Sequence, residues 1–88
     1  MRVRFKPSFK RDLKKIKDTQ VLVAIEVLLN TVKSAERPDV ISNLIKMKGY
    51  DNFYRVRISN YRVGIQVIED DVIFVRVLHR REIYRYFP

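Results

Sequence analysis

Several residue types that support common chemistries are scarce or missing from this chain. It has no cysteine and a single histidine, so disulfides and thiolate metal sites are excluded. Its 2 glycines and 3 prolines form neither a linker nor a glycine-rich phosphate loop. No apolar stretch could span a membrane, and the opening MRVRFKPSFK lacks the apolar core of a secretory signal. We therefore expect a cytoplasmic protein that needs no metal, no small-molecule cofactor and no membrane.

Size and charge narrow the class of protein further. The 88 residues are enough for one domain, which we place over residues 1–88. Lys plus Arg number 19 against 10 Asp plus Glu, which gives a net charge of +9. A charge this large on so small a domain favours polyanions such as nucleic acid. An acidic protein partner would satisfy the same charge.

The first half of the chain predicts one strand and two helices. Charged and apolar residues alternate from Arg2 to Lys6, as in a half-buried strand. Pro7 suits the first turn of a helix, whose apolar stripe includes Phe9 and Leu13. A second helix can be capped at residue 18 or 19. Its wide apolar stripe consists of Val21, Leu22, Ile25, Leu28, Leu29 and Val32. The short connector implies an antiparallel helical hairpin.

The stretch YRVRISNYRVGI, residues Tyr54–Ile65, predicts a β-hairpin because it alternates with a period of two. The two-residue turn is Ser59-Asn60, whose asparagine tolerates the positive φ that a tight hairpin needs. In this register Arg57 lies opposite Arg62, and Arg55 follows one step along the same face. We call the side of the sheet that carries these three residues the arginine face.

A last strand is predicted from Val72 to Leu78, after a turn at residues 69–71. Both of its faces are largely apolar, so the sequence does not determine which residues face the helices. If every second residue from Ile73 to Val77 faces the helices, Arg76 joins the arginine face. The predicted order is β-α-α-β-β-β. This is an α+β fold, with an antiparallel sheet and the N-terminal helical hairpin packed on one side.

Hydrophobic burial gives no reason for the arginine face, and like charges placed opposite each other in a sheet cost stability. No carboxylate on the same strands is placed to neutralise Arg55, Arg57 and Arg62. Guanidinium groups on rigid strands are well suited to hold phosphate. The alternative is that arginine stems simply lie flat over an exposed sheet. Three converging arginines favour phosphate binding.

The C-terminal stretch HRREIYRYFP interleaves cations with aromatic rings. Recognition of single-stranded RNA uses this combination, because bases stack on the rings while arginines hold the backbone. The candidate RNA-binding residues therefore extend from the strands into the tail. They are Arg55, Arg57, Arg76, His79, Arg81 and Tyr86.

The stretches KMKGYDNFYRVRISNYRVG and HRREIY, with the length, charge and element order, resemble the RelE/ParE toxin superfamily and within it the RelE branch. The resemblance covers nearly the whole chain. It implies a fold similar to that of microbial RNases and the toxin of a type II toxin–antitoxin pair. The implied activity is a metal-independent endoribonuclease that cuts mRNA in the ribosomal A site by 2′-OH attack and so inhibits translation. The implied partners are the ribosome, mRNA and an acidic RelB-like antitoxin.

The resemblance also implies catalytic residues. The basic pair that the family carries on the first hairpin strand falls on Arg55 and Arg57, where the family often has lysines. Its arginine after the hairpin turn matches Arg62, its late arginine matches Arg80, and its C-terminal tyrosine matches Tyr84. Because arginine hardly deprotonates, the change from lysine keeps charge stabilisation and disfavours proton transfer from these positions.

Some assignments stay open at this point. Tyr86 is a rival for the tyrosine, because the family's spacing varies there. Other members use a histidine with a glutamate, which keeps His79 and Glu82 as an acid–base pair. Tyr84 could act as the base, or could stack on a nucleobase and orient the nucleophile.

Two other functions also stay open. One is a ParE-like inhibitor of DNA gyrase, which shares the fold and has no RNase activity. The other is a basic RNA-binding module without chemistry. The presence of Arg55, Arg57, Arg62 and Arg80 with a terminal tyrosine favours the nuclease, because the gyrase-directed branch need not keep this set.

Overall fold

The computed structural model describes all 88 residues and shows two helices packed on one face of a five-stranded sheet. The elements are β1 Arg2–Phe5, α1 Pro7–Lys15, α2 Thr19–Ser34, a 3₁₀ turn Pro38–Val40, β2 Leu44–Lys46, β3 Phe53–Ile58, β4 Tyr61–Ile68, β5 Asp71–His79 and α3 Ile83–Tyr86. The strand order across the sheet is β1-β5-β4-β3-β2. The predicted α+β class is confirmed. None of the helices combines the length and apolar character needed to cross a bilayer.

The two helices of the hairpin begin at the proline and the capping residue that the sequence indicates. Pro7 occupies the first turn of α1, where its missing N–H costs no hydrogen bond. Asp18 caps α2, and its carboxylate accepts hydrogen bonds from the backbone N–H groups of Gln20 at 2.9 Å and Val21 at 3.4 Å. The buried stripe of α2 packs against the sheet and consists of Val21, Ile25, Leu28 and Val32.

The β3–β4 hairpin has the predicted register. Arg57 lies opposite Arg62, and Ile58 lies opposite Tyr61. The prediction for the turn is wrong in one respect, because the positive φ of 53° belongs to Ser59 rather than to Asn60. A tight hairpin can carry its left-handed residue at the first turn position.

The prediction of a wholly antiparallel sheet is wrong. β1 pairs with β5 in parallel, with Val3 beside Val72, and the unpredicted β2 adds an antiparallel edge to β3. Two helices and three strands separate β1 from β5 along the chain, so β5 can pair with β1 in either direction. The rings of Phe5, Phe9 and Phe74 then pack against one another, with centroids 5.4 to 5.8 Å apart.

The register of β5, which the sequence left open, differs from the alternative that places both Ile73 and Val75 on the helix side. Val72 and Phe74 are fully buried in the main core, at 0% exposure, whereas Ile73 and Val75 lie outside it. A β-bulge causes this shift. Gly64 pairs with Arg76 while Ile65 pairs with Phe74, which leaves Val75 without a partner on β4. The alternation changes phase there, so Val77 faces the helices and Arg76 joins the arginine face, as predicted.

An ion pair at the β1–β5 edge predicts a dependence of stability on pH. The hydrogen bond from Arg2, assisted by Arg4, lowers the pKa of Asp71. Because the folded-state pKa is the lower one, the contact stabilises the fold above the unfolded value of about 3.9. This stabilisation disappears as the pH falls through the folded value. We expect Asp71→Asn to lower the Tm at pH 7 and to lower it by less near about pH 2.

Thermal melts at both pH values measure this effect, with Asp70→Asn as the control. Asp70 is the exposed neighbour of Asp71 and makes no ion pair. A loss of Tm for Asp71→Asn that is equally large at both pH values would contradict the assignment to the carboxylate charge.

Candidate functional site

Cross-strand pairing arranges the arginines in two rows on the face of the sheet opposite α1 and α2. In one row Arg57 of β3 lies opposite Arg62 of β4. In the other, Gly64 of β4 lies between Arg55 of β3 and Arg76 of β5. Residues paired across a ladder share a face, so the four arginines point away from the main core. The structure thus brings together the strand residues that the sequence singled out.

Three of these arginines have no carboxylate partner. The ion pairs of the structure involve other arginines and leave Arg55, Arg57 and Arg62 uncompensated. Burial, followed by the charges of Arg57 and Arg55, lowers the pKa of Arg62. Its guanidinium is fixed at the hairpin turn by hydrogen bonds to the carbonyl oxygens of Ser59 at 3.0 Å and Tyr61 at 2.9 Å. The result is a rigid, positively charged surface suited to an anion.

Arg76 differs from the other three because Asp12 of α1 binds it. The Nε and one terminal nitrogen of Arg76 donate to the two carboxylate oxygens at 2.7 and 2.9 Å. This pair raises the pKa of Arg76. Asp12 is 4% exposed and also accepts the backbone N–H of Val77 at 3.1 Å. Sequence reasoning missed Asp12, because its partners lie more than 60 residues away.

The C-terminal helix α3 lies across the arginine face. The guanidinium carbon of Arg55 is 5.6 Å from the ring centroid of Tyr84, and that of Arg76 is 5.4 Å from the centroid of Tyr86. Both distances allow cation–π interaction. Tyr84 is 59% exposed and Tyr86 is 51% exposed. Each of the two candidate tyrosines therefore adjoins a guanidinium and stays open to a ligand.

Sequence reasoning also missed Gly64 and Phe87. A Cβ atom at Gly64 would lie 2.7 Å from the ring of Phe87, so the ring packs directly on the strand. With Ile83 and Met47, Phe87 forms a small buried cluster that is separate from the main core. An isolated glycine inside a strand is the signal that could have indicated this close approach and the adjoining bulge.

The turn between β5 and α3 brings Arg80 to the same end of the sheet. The backbone N–H of Arg80 donates to the carbonyl of Asn60 in the hairpin turn at 2.7 Å. The positive charge of Arg80 contributes to the lowered pKa of Arg62. Arg80 and Arg81 are both exposed. One accessible surface is thus surrounded by Tyr84 and four arginines, namely Arg55, Arg57, Arg62 and Arg80.

His79 lies elsewhere. It pairs with Tyr61 across the ladder, with ring centroids 5.9 Å apart, and Tyr61 packs against the main core. His79 therefore lies on the helix side of the sheet, where it and Glu82 line a cavity with Asp12. The structure does not place this histidine on the arginine face with Arg55, Arg57 and Arg62. No group of three or more His, Cys, Asp or Glu residues is placed to hold a metal ion.

Comparison with known proteins identifies relatives of this chain in sequence and in fold. A family profile described as the ParE toxin of type II toxin-antitoxin systems, parDE, matches residues 3–84. Toxin RelE3 of Methanocaldococcus jannaschii is 40% identical over 89 aligned residues, which cover 100% of both chains. A chain in the crystal structure of the RelB-RelE antitoxin-toxin complex from Methanococcus jannaschii is 38% identical, with a TM-score of 0.81 and coverage of 97% of this chain and 99% of that one. The isolated E. coli RelE toxin shares the fold, with a TM-score of 0.66 at 18% identity and 98% coverage of each chain.

A mixed sheet that carries a helical hairpin on one face and a basic, aromatic surface on the other defines a small toxin of the RelE fold. The chain belongs to the RelE/ParE family of type II toxin–antitoxin toxins and is RelE-like. The resemblance predicted from the sequence is confirmed.

Proposed function

We propose that this chain is a ribosome-dependent endoribonuclease that cleaves mRNA in the A site, inhibits translation and acts in the cytoplasm. The observation that carries the proposal is the convergence of Arg55, Arg57, Arg62 and Arg80 around the exposed Tyr84. None of these arginines pairs with a carboxylate. Uncompensated charge on rigid strands costs stability, so it calls for a functional reason.

The proposed chemistry needs no metal ion. The 2′-oxygen of the RNA attacks the adjacent phosphorus, and the bond from phosphorus to the 5′-oxygen breaks. The products are a 2′,3′-cyclic phosphate and a 5′-hydroxyl. Arg55, Arg57 and Arg62 would stabilise the phosphorane dianion, which is usually the largest contribution in such a site. Arg80 would bind the same phosphate from the tail side.

Two proton transfers accompany this reaction, one from the 2′-hydroxyl and one to the leaving 5′-oxygen. Tyr84 would serve as the base, or would orient the nucleophile while its ring stacks on a nucleobase. Its exposed ring beside Arg55 allows either role. Arg76, Arg81 and Tyr86 would contact RNA around this centre, with Arg76 partly engaged by Asp12.

Primer extension on a translated messenger tests the proposal. With purified protein, we expect new 5′ ends inside codons that occupy the A site, and no cuts in the same RNA without ribosomes. Cleavage of free RNA would contradict ribosome dependence. If the protein binds ribosomes without cutting the messenger, it is a binding module without chemistry.

A gyrase-directed activity is the second candidate, because the matching family profile carries the ParE name. Induced expression separates the two. A nuclease of this kind arrests translation rapidly, whereas a gyrase poison triggers DNA damage and filamentation. Early DNA damage without a stop in protein synthesis would favour gyrase as the target.

We also propose an acidic, RelB-like antitoxin as the partner. The chain carries a net charge of +9, and a similar chain has been crystallised in a RelB-RelE complex. A partly disordered acidic protein that orders on binding would suit this surface. If the adjacent reading frame encodes a small acidic protein, its co-expression should relieve toxicity. Undiminished toxicity with a soluble, co-expressed product would contradict this pairing.

Arg57→Gln separates function from stability. Arg57 lies opposite Arg62, so removing one charge should leave the fold as stable as wild type, or more stable by about 0.2–1 kcal/mol. Messenger cleavage should nevertheless fall. Urea unfolding and ribosome-programmed cleavage measure the two effects. Arg37→Gln, at an exposed arginine that pairs locally with Asp39, is the control and should not affect cleavage. A clear loss of stability for Arg57→Gln would mean that this arginine is structural.

A further inference from the structure

The tail reaches the arginine face through two buried side chains that flank Tyr84. Ile83 is 0% exposed and Phe87 is 2% exposed, and both pack in one cluster with Met47. Helix α3 has only four residues, too few for its own hydrogen bonds to stabilise it. The position of Tyr84 therefore depends on the packing of these two neighbours.

Gly64 allows Phe87 to reach its position. Because an added Cβ would lie only 2.7 Å from the ring, no larger residue fits at this point of β4 unless the ring moves. The neighbours of Gly64 across the ladder are Arg55 and Arg76. The ring of Phe87 thus occupies the space that a side chain would fill between two arginines. The same contact leaves Tyr84 next to Arg55.

We propose that Gly64 and Phe87 are positioning residues, which hold Tyr84 beside Arg55 in the cleavage site. The expected effect on cleavage rests on the proposed function, whereas the placement of Tyr84 by Gly64 and Phe87 does not. Neither residue needs to contact RNA, because both act through Tyr84. A displacement of about 1 Å in a reacting group can lower a rate by about 100-fold.

Gly64→Ala is the direct test, because the added methyl group must displace the ring. Gly64 does not have a positive φ, so alanine fits the strand backbone without strain. We expect loss of the NMR contacts between the Tyr84 ring and the Arg55 side chain. We also expect a fall of about 10- to 100-fold in single-turnover cleavage, with ribosome affinity unchanged. Ile68→Ala, at an exposed residue of the same strand, is the control and should change neither.

A double variant tests whether Gly64 acts through the tyrosine. In a Tyr84→Phe background, Gly64→Ala should lower the cleavage rate by less than about a further twofold. The reason is that both substitutions remove the same contribution of Tyr84 to the rate. Full additivity would overturn the inference. A Gly64→Ala protein that keeps the NMR contacts would also overturn it, as would one that loses them and still cleaves at the wild-type rate.

Phe87→Leu provides a second route, because it removes the ring without adding an atom to β4. Phe87→Leu should also abolish the NMR contacts between Tyr84 and Arg55 and lower the cleavage rate. If Gly64→Ala does not fold, this variant decides whether the ring of Phe87 positions Tyr84. If wild-type protein fails to cut messenger, the proposed function is wrong. The NMR contacts then still decide whether Gly64 and Phe87 set the position of Tyr84.

Discussion

Tyr84→Phe and Arg80→Ala are each expected to lower the rate of messenger cleavage by about 100-fold or more, while ribosome binding persists. The Tyr84 ring is 59% exposed and lies beside Arg55. Arg80 is exposed next to the hairpin turn. Each substitution removes an interaction made in the transition state, so the rate falls and the affinity does not. Single-turnover cleavage on programmed ribosomes measures the rate, and co-sedimentation measures binding.

Two further variants decide between the candidate chemistries. His79→Gln should lower the cleavage rate by less than about tenfold, which is below the usual contribution of an acid–base group. The reason is that His79 faces Tyr61 on the helix side of the sheet. Tyr86→Phe tests the rival tyrosine, which lies over Arg76 rather than Arg55. An inactive His79→Gln beside an active Tyr84→Phe would move the acid–base role to the histidine and Glu82.

The hairpin could be predicted from the sequence because its signals are local. A two-residue turn at Ser59-Asn60 fixes which residues of β3 and β4 face each other, and alternation then assigns the faces. The pairing of Arg57 with Arg62 follows from these two facts alone. Helix α2 is similarly local, since its cap at Asp18 and its apolar stripe lie within one segment.

The features that could not be predicted from the sequence are contacts between distant segments. Nothing in Arg2–Phe5 specifies that this strand pairs with β5 or that it does so in parallel. The faces of β5 are both apolar, so only the bulge opposite Gly64 sets which residues enter the core. In the tail, Ile83 and Phe87 stand among charged and aromatic residues, and four helical residues are too few to show a period. The sequence therefore shows which basic and aromatic residues the tail carries, without the contacts that position them.

Asp12→Ala is expected to lower the free energy of unfolding by about 3 kcal/mol, a loss typical of breaking a buried ion pair. The carboxylate of Asp12 is buried and accepts two hydrogen bonds from Arg76 and one from the N–H of Val77. Val77 lies beyond Phe74, where the pairing of β5 with β1 ends. Removing the carboxylate therefore leaves a strand N–H and a guanidinium without their acceptor. Urea unfolding followed by circular dichroism measures the loss.

Asp18 provides the matched control, because it also lies in the helical hairpin and its carboxylate accepts two hydrogen bonds, both from backbone N–H groups. It is an exposed helix cap, so Asp18→Ala should cost only about 1 kcal/mol. Equal losses for the two variants would show that Asp12 is worth no more than a cap. Asp12→Asn keeps the shape and one acceptor oxygen but loses the charge, so its stability should lie between those of wild type and Asp12→Ala. If Asp12→Asn is as stable as wild type, hydrogen-bond geometry rather than the ion pair with Arg76 holds α1 against β5.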